Sequence, residues 1–332
     1  MKKVNWGILS TAGIAQKELI PAFKRATNVE VTAIASSSGT EKAKAVADKF
    51  SIEKVYDSYE KLLDDPDIDA VYIPLPNHLH KEWVITAAKK GKHILCEKPA
   101  AVNAAEFEEM QAVCEEQDVI FMEAFMYHFH PQHERVKEII ASGEIGEVSY
   151  MRSAHTFYMK DPETNVRVKY QAGGGSLYDI GCYAIHAIRN VLGQEPETVQ
   201  VEAVKNDADI DTAAYAYFTF ADGTRATFDT SFDLADRNEY EVAGTKGRIR
   251  VPRAFRPDRN GGDGLVIVET QGVSRTETLN TDQYRVQVEH ISQAILNGDR
   301  KLHNDDENTL ANMRVIDACM EAMETGERVM LK

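Results

Sequence analysis

Short apolar runs alternate with helical patterns along residues 4–122. The runs are too short to be helices and predict strands at Val4–Leu9, Val29–Ser36, Val55–Tyr56, Ala70–Ile73, His93–Cys96 and Val119–Met122. Helical patterns lie between them at Glu41–Phe50, Tyr59–Leu63, Leu79–Lys90 and Ala104–Glu116. Ser58 and Asn103 precede two of these helices and are typical N-cap residues. Strands that alternate with helices predict a doubly wound parallel sheet, the Rossmann type of α/β fold.

The pattern changes to strand-like alternation in the second half of the chain. Predicted strands are Glu147–Phe157, Thr198–Val204, Ala213–Phe220, Arg225–Phe232, Glu239–Ala243, Arg248–Val251, Leu265–Glu269 and Ser274–Leu279. Asp222-Gly223 is typical of a hairpin turn. Two helices, Tyr284–Leu296 and Glu307–Met323, follow the strands. The chain is therefore predicted to contain a dinucleotide-binding domain at 1–123 and an α+β domain on an open, mainly antiparallel sheet at 124–332.

One helix of the second domain is preceded by three glycines. It is predicted at Leu177–Leu192, with Ser176 and Asp179 at the spacing of a capping box and Gly193 as its C-terminal cap. Its core face has helical spacing and comprises Leu177, Ile180, Ala184, Ile188 and Val191. A polar stripe comprises Asp179, Tyr183, His186 and Asn190. A solvated face explains His186 and Asn190, whereas Asp179 and Tyr183 lie beside the glycines, where a ligand can approach closely.

Composition excludes several classes of partner. The 332 residues carry a net charge of −15, which disfavours nucleic acid and anionic membranes, and no apolar run reaches the length of a membrane span. The four cysteines have no C-x-x-C spacing, and the N-terminus has no signal-peptide pattern. We therefore expect a cytoplasmic protein that binds a small molecule.

The strand His93–Cys96 leads directly into Glu97, Lys98 and Pro99. Ligands in open α/β sheets bind just beyond the carboxyl ends of the strands. Unpaired charges are costly to bury, so these two charged residues indicate a functional edge. Lys98 is thus predicted to face a ligand.

Three turns are candidates for cofactor contacts. Ser10–Ala15 occupies the position of a phosphate loop, but serine and alanine replace its usual glycines, and Gly13 is expected to relieve the turn. Ser36–Ser38, with Lys42, ends the second strand without a carboxylate, which favours NADP and leaves NAD possible. Asn77 is expected either to cap the following helix or to contact the nicotinamide side of the cofactor.

Four motifs resemble the glucose-fructose oxidoreductase/inositol dehydrogenase (Gfo/Idh/MocA) family. They are PLPNHLH (Pro74–His80), GKHILCEKP (Gly91–Pro99), MEAFMYHFHPQ (Met122–Gln132) and GGGSLYDIGCYAIH (Gly173–His186), and they are most similar to the NADP-dependent aldose and trans-dihydrodiol dehydrogenases. The resemblance implies Lys98, Asp179 and Tyr183 as catalytic residues, and a homodimer or homotetramer. The cofactor-binding residues expected from the turns and the resemblance are Ser10, Thr11, Ala12, Gly13, Ile14, Ser36, Ser37, Ser38, Lys42, Pro74, Asn77, His80, Glu97 and Lys98. Tyr158, Asn165 and Arg167, in the predicted loop Tyr158–Ala172, are expected to contact the substrate.

The expected reaction moves a hydride between a nicotinamide and a hydroxyl-bearing carbon of a sugar, a polyol or a cyclic dihydrodiol. Such a reaction needs an acid/base group. A tyrosine with an ordinary pKa of about 10 is a weak acid, and a nearby ammonium lowers that value. Lys98 is expected to do this for Tyr183, so that both side chains line one cleft with Asp179.

Two other interpretations stay open. A non-catalytic NADP-binding sensor is suggested by the altered phosphate loop. His128, His130 and His133 suggest a metal hydrolase, but Pro131 interrupts the segment and the similar family has no metal there, so no metal site is predicted.

Overall fold

The computed structural model describes residues 2–169 and 173–331, which form two compact units. One unit is Met1–Phe129 with Asp282–Leu310, and the other is His130–Thr281 with Ala311–Lys332. The division differs from the predicted one at residue 123 because a later segment, Asp282–Leu310, returns to the first unit. The predicted loop Tyr158–Ala172 contains two 3-10 turns, and its residues 170–172 lie outside the described part.

The first unit is built on a six-stranded parallel sheet, as predicted. Its strands are β1 (Val4–Leu9), β2 (Val29–Ala35), β3 (Lys54–Tyr56), β4 (Ala70–Ile73), β5 (His93–Cys96) and β6 (Phe121–Glu123). They are ordered β3-β2-β1-β4-β5-β6, with every pair parallel. Strands β4 and β5 each lie between two other strands and are almost wholly buried, which explains their continuous apolar sequences.

Helices connect the strands, and two of them begin at N-cap residues that the sequence predicts. In chain order they are α1 (Ile20–Arg25), α2 (Thr40–Phe50), α3 (Tyr59–Leu63), α4 (His80–Lys89), α5 (Ala104–Glu116), α6 (Pro131–Ala141), α7 (Cys182–Leu192), α8 (Gln283–Asn297) and α9 (Asp306–Thr325). The predicted caps Ser58 and Asn103 are confirmed, since each side chain accepts a hydrogen bond from a first-turn amide.

Helix α8 packs in the first unit although it lies far along the chain. The indole Nε1 of Trp6 in β1 donates to the hydroxyl of Ser292 over 3.1 Å. Arg25, at the end of α1, pairs with Asp282 before α8 at 2.6 Å. These contacts join the first and last thirds of the sequence.

The second unit is built on a nine-stranded, mainly antiparallel sheet. Its strands are β7 (Val148–Tyr158), β8 (Thr198–Lys205), β9 (Asp211–Thr219), β10 (Arg225–Ser231), β11 (Asp233–Gly244), β12 (Gly247–Val251), β13 (Asp263–Thr270), β14 (Val273–Asn280) and β15 (Val329–Met330). The order is β14-β13-β12-β11-β7-β10-β9-β8-β15, and only β7 and β10 pair in parallel. The predicted hairpin at Asp222-Gly223 is confirmed between β9 and β10.

One face of this sheet is packed and the other is open. Along β9, Ala214, Ala216 and Phe218 are buried, whereas Tyr215 is 47% exposed and Tyr217 is partly exposed. Such alternation places the two tyrosines on the face opposite the core. Helix α7 packs against β7 and β10.

Two elements were not expected from the sequence. Pro131 is the first residue of α6 and not a break, because its fixed φ and missing N–H suit a helix start. His130 caps this helix through its ring. β15, of two residues, pairs with β8 at the edge of the sheet.

The described helices include none that is both long enough and apolar enough to cross a membrane. The four cysteines are buried and form no disulfide.

Candidate active site

Lys98 lies at the carboxyl end of β5. The amide of Glu97 continues the strand ladder by donating to the carbonyl oxygen of Ile73 over 3.1 Å. The carboxylate of Glu97 accepts a 2.5 Å hydrogen bond from the hydroxyl of Tyr72 in β4. Burial, reinforced by this carboxylate, raises the pKa of Tyr72 well above its ordinary value, so the hydroxyl remains a donor. Glu97 is thus fixed to the neighbouring strand, and the half-buried Lys98 follows it directly.

His80 holds the backbone that follows Lys98. It is 0% exposed, with Nδ1 at 3.0 Å from the carbonyl oxygen of Pro99 and 3.2 Å from that of Ala100. Its Nε2 lies 2.8 Å from the carbonyl oxygen of Leu75, in the loop after β4. The carbonyls favour a protonated ring, but burial opposes the charge more strongly and lowers the pKa of His80 to about 4. Because both ring nitrogens face main-chain carbonyls, His80 supports the Lys98 turn, and its predicted contact with the cofactor stays a prediction.

The turn after β1, which occupies the position of a phosphate loop, contains a serine with a positive φ. Ser10 has a φ of 138°, which glycine adopts easily and other residues rarely adopt. Its hydroxyl oxygen accepts a hydrogen bond from the amide of Ala12 over 3.1 Å. Gly13 does not relieve the turn as expected, because it lies in the helical segment that begins there. Thr11 and Ile14 are half-buried in the same stretch.

The turn after β2 presents hydroxyl groups beside the start of α2. The side chain of Ser36 is buried and accepts a hydrogen bond from the amide of Ser38 at 3.2 Å. Ser37 is exposed, and its hydroxyl lies 3.3 Å from that of Tyr59. Lys42 is exposed in the first turn of the eleven-residue helix. Hydroxyls, an ammonium and a helix N-terminus together suit a phosphate group.

The loop after β4 also lies at the carboxyl edge of the sheet. Pro74 is buried directly after the strand, and Asn77 opens the 3-10 turn Asn77–Leu79. The cap position of that turn is Pro76, with no side-chain hydrogen bond. Both predicted roles of Asn77, the helix cap and the nicotinamide contact, stay predictions.

Three of the predicted site residues meet in the second unit. Nε of Arg167 donates to Oδ2 of Asp179 over 2.6 Å. The side-chain oxygen of Asn165 accepts the amide of Arg167 at 3.1 Å and caps the 3-10 turn Val166–Val168. Tyr158, at the end of β7, is 65% exposed. Arg167 therefore orients the carboxylate of Asp179.

The predicted capping box at Ser176 and Asp179 is wrong. The Ser176 side chain makes no cap hydrogen bond, and the helix starts with a π-helical turn, Leu177–Gly181. Oδ2 of Asp211 accepts the amide of Leu177 at 2.7 Å and the hydroxyl of Ser176 at 2.8 Å. A residue distant in sequence thus caps the helix, which no local pattern indicates.

Tyr183, in the first turn of α7, packs within an aromatic cluster. It is 6% exposed, and its ring centroid lies 5.2 Å from that of His155 and 5.5 Å from that of Phe255. His155 and Phe255 stack on each other at 4.8 Å. Neither is expected from the sequence motifs. The available signal is that His155 occupies a core-facing position of β7, where an apolar residue is usual.

The rest of α7 is more buried than predicted. The predicted core residues are confirmed as buried: Leu177, Ile180, Ala184, Ile188 and Val191. His186 is 0% exposed, so the predicted solvated face is wrong at that position. The side-chain amide of Asn190 hydrogen-bonds to the carbonyl oxygen of His186 at 2.7 Å and lies 3.1 Å from its Nδ1.

The three histidines that suggested a metal hydrolase are buried. His130 Nε2 lies 3.0 Å from the carbonyl oxygen of Gly262. His133 Nδ1 lies 2.9 Å from the hydroxyl of Tyr240, and burial holds the pKa of His133 well below its ordinary value. His130 and His133 therefore take part in hydrogen bonds of the second unit, and His128 belongs to the first.

Both halves of the chain match known family models. Residues 4–125 match the oxidoreductase family with an NAD-binding Rossmann fold, and residues 133–250 match the GFO/IDH/MocA C-terminal domain. The chain belongs to the Gfo/Idh/MocA family. The family predicted from the four motifs is thus confirmed.

Several proteins of this family are similar to the chain over most of its length. D-xylose 1-dehydrogenase (NADP(+)) 2 from Haloferax volcanii is 41% identical over 98% of this chain and 99% of its own length. Trans-1,2-dihydrobenzene-1,2-diol dehydrogenase from Xenopus tropicalis is 33% identical over 74% of each chain. The crystal structure of a 3-ketoreductase from Actinomadura kijaniata, in complex with NADP and TDP-benzene, has a TM-score of 0.91 at 32% identity and covers 97% of this chain and 98% of that one.

Proposed function

We propose that this Gfo/Idh/MocA protein is an NADP-dependent oxidoreductase acting on a sugar, a polyol or a cyclic dihydrodiol. The observation that carries the proposal is the position of Lys98. Lys98 is the basic residue of the Glu-Lys-Pro turn. This turn directly follows a strand of a parallel sheet in which the turns after β1 and β2 suit a dinucleotide. The D-xylose and dihydrodiol dehydrogenases among its relatives support the same reaction class.

The turn after β2 favours NADP over NAD. Ser36, Ser37 and Ser38 with Lys42 offer hydroxyl donors and a positive charge at the start of α2. No carboxylate occupies residues 36–38, where one repels the 2′-phosphate of NADP. When bound, this cofactor accepts a hydride in the oxidation direction and supplies one in reduction.

Lys98, Asp179 and Tyr183 are proposed to act on the same substrate. The phenol of Tyr183 takes the hydroxyl proton when the substrate is oxidised and returns a proton in reduction. The ammonium of Lys98 binds the substrate oxygen and favours the ionised phenol. Asp179, held by Arg167, orients substrate hydroxyls, and Asn165 and Tyr158 complete the substrate contacts.

A non-catalytic NADP-binding sensor has less support than an enzyme. That alternative depended on the altered phosphate loop, but Ser10 takes the backbone conformation that a glycine takes there. The backbone geometry of this loop therefore gives no reason to expect a loss of catalytic activity.

The open face of the second sheet is proposed to join copies of the chain into a homodimer or homotetramer. Tyr215, Tyr217 and Thr227 line a depression of about 450 Å³ on that face. Exposed aromatic groups at a sheet face are typical of protein contacts. We also propose a cytoplasmic location, which the lack of a disulfide among the four cysteines supports.

The experiment that tests the function is NADP⁺ reduction by the purified protein across aldoses including D-xylose, polyols and trans-dihydrodiols. Turnover of at least one class is expected, and Lys98→Met should lower it at least as much as Tyr183→Phe does. Combining Lys98→Met with Tyr183→Phe should cost less than the sum of the two single effects if both act in one site. Tight NADP binding without turnover of any compound would support the sensor instead.

A further inference from the structure

We propose that Asp211 is a positioning residue for the reaction, fixing the first turn of the helix that carries Asp179 and Tyr183. The inference rests on the proposed function, in which those two side chains act on the substrate. Asp211 begins β9, within the second unit, and is 4% exposed. It lies outside all four family motifs.

The contacts of Asp211 are those of a helix cap supplied from another element. The amide of Leu177 is one of the donors that a helix start leaves without a partner in the helix. Oδ2 of Asp211 accepts that amide at 2.7 Å and the hydroxyl of Ser176 at 2.8 Å. Ser176 also lies 3.1 Å from the hydroxyl of Thr230 in β10. Because Asp211 and Ser176 are buried, water is a poor substitute for this acceptor.

The glycine before the helix packs closely against the same carboxylate. Gly175 has a φ of 119°, and a Cβ at this position would lie 2.0 Å from Oδ1 of Asp211. The amide of Gly175 donates to the carbonyl oxygen of Arg167 at 2.7 Å, and the amide of Asp179 donates to the carbonyl oxygen of Gly175 at 3.0 Å. The position of Asp211 is thereby linked to both partners of the Arg167–Asp179 pair.

The helix starts with a π-helical turn, and the directions of its side chains depend on the hydrogen bond to Asp211. Leu177–Gly181 forms the π-helical turn, with Asp179 at its centre. Ile180 on the same turn packs with Met159 and Phe232. π-Helical turns are uncommon and frequently lie at functional sites. Without Asp211, the turn keeps its apolar contact but loses the polar one that fixes its first amide.

What the turn needs from Asp211 is an acceptor atom and not a charge. Burial raises the pKa of this carboxyl to about 6, so the charge is unfavourable where it lies. Asparagine has the same shape and an acceptor oxygen. It is therefore the variant that separates positioning from electrostatics.

The test compares Asp211→Ala, Asp211→Asn and Ser176→Ala with the wild type. It measures kcat and KM on a substrate found in the panel above, NADPH affinity, and hydrogen exchange of peptides that cover residues 176–183. Asp211→Ala is expected to lower kcat about 10- to 100-fold, because small displacements of reacting groups are costly. NADPH affinity should not change, since every proposed cofactor contact lies in the first unit. Exchange should rise in the π-helical turn.

Asp211→Asn should recover kcat to within a few-fold of the wild type, and Ser176→Ala should have the smaller effect because it keeps the Leu177 contact. Asp222→Ala is the matched control. That aspartate accepts the amide of Thr224 at 2.8 Å in the exposed β9–β10 turn, and kcat should be unchanged.

Wild-type kcat in Asp211→Ala would overturn the proposal, as would Asp211→Asn being as slow as Asp211→Ala. Loss of NADPH binding in both Asp211 variants would assign Asp211 to folding and would also overturn it. If the wild type turns over no compound, the proposed function fails separately. Hydrogen exchange then tests the positioning role by itself. An unchanged exchange rate of the π-helical turn in Asp211→Ala would contradict that role.

Discussion

Single serines in the first unit occupy positions where many dinucleotide-binding folds have glycine or a carboxylate. Ser10 adopts a φ of 138° and stabilises it with a side-chain hydrogen bond to the amide of Ala12. Ser36, Ser37 and Ser38 follow β2, where an acidic residue selects NAD. Serine hydroxyls therefore serve two different purposes: backbone geometry in one turn and phosphate recognition, as proposed, in the other.

The exposed Ser37 gives a direct test of cofactor choice. Ser37→Asp places a carboxylate near the proposed 2′-phosphate, and charge repulsion should reduce NADPH affinity at least tenfold, with NADH affected much less. Ser37→Asn is the control of the same size without the charge. Fluorescence titration with both cofactors measures the change. Tighter binding of NADH than of NADPH by the wild type would show the serine argument to be wrong.

The site residues that the sequence indicated are those in contiguous motifs. Lys98 lies in the turn that directly follows β5, and Asp179 and Tyr183 stand four residues apart beside the glycines. His155 and Phe255 pack against Tyr183 from distant segments, so no local spacing could reveal them. His80 stood in a motif, but its hydrogen bonds to carbonyl oxygens depend on tertiary structure.

At the scale of elements, the helix that starts at Leu177 depends on a cap from β9. Burial raises the pKa of Asp211 from 3.8 to about 6. A carboxyl whose pKa is higher in the folded state keeps its proton there longer than in the unfolded chain, so its contribution to stability falls as pH rises from about 4 to about 6. A difference of this size corresponds to roughly 3 kcal/mol in the free energy of unfolding.

Asp211→Asn should remove this dependence. Urea unfolding of both proteins between about pH 4 and pH 7 gives the comparison, because other titrating groups contribute equally to both. The stability of the wild type relative to the variant should fall by up to roughly 3 kcal/mol over this range. Parallel pH curves for the two proteins would contradict the raised pKa.

The boundaries of β1, β4, β5 and α5 agree with the sequence to the residue. Those elements have local signals: bounded apolar runs and, for α5, an asparagine cap. The sequence does not predict α6, because Pro131 suits a break in a segment as well as the first turn of a helix. The cap of the π-helical turn before α7 could not be predicted, because Asp211 lies 34 residues from Leu177.

At the scale of the whole molecule, each unit contains segments that are distant in the sequence, so the pattern of elements along the chain does not predict the division into units. Both fold classes were predicted correctly from their periodicities, a parallel α/β sheet and a mainly antiparallel one. The segment Asp282–Leu310 rejoins the first unit through contacts such as Trp6–Ser292. Such a return depends on packing between distant elements, which periodicity does not encode.

The open sheet face leads to a prediction about assembly. Tyr217→Asp introduces a charge on that face and should yield monomers if the face joins subunits, because an unpaired charge is costly in an interface core. Val273→Asp, at an exposed hairpin position, is the control and should leave assembly unchanged. Sedimentation velocity at micromolar concentration distinguishes the species. A monomeric wild type would exclude the proposed contact.

The central claim, that Tyr183 is the acid/base group of an NADP-dependent oxidoreductase, is tested most directly by the turnover of Tyr183→Phe. The substitution removes only the hydroxyl, and Tyr215→Phe removes one from the open sheet face as a matched control. NADPH affinity should stay at the wild-type value in both variants. Tyr183→Phe is predicted to reduce kcat by roughly 10²- to 10⁴-fold, with Tyr215→Phe at the wild-type rate. Wild-type turnover by Tyr183→Phe would contradict the account.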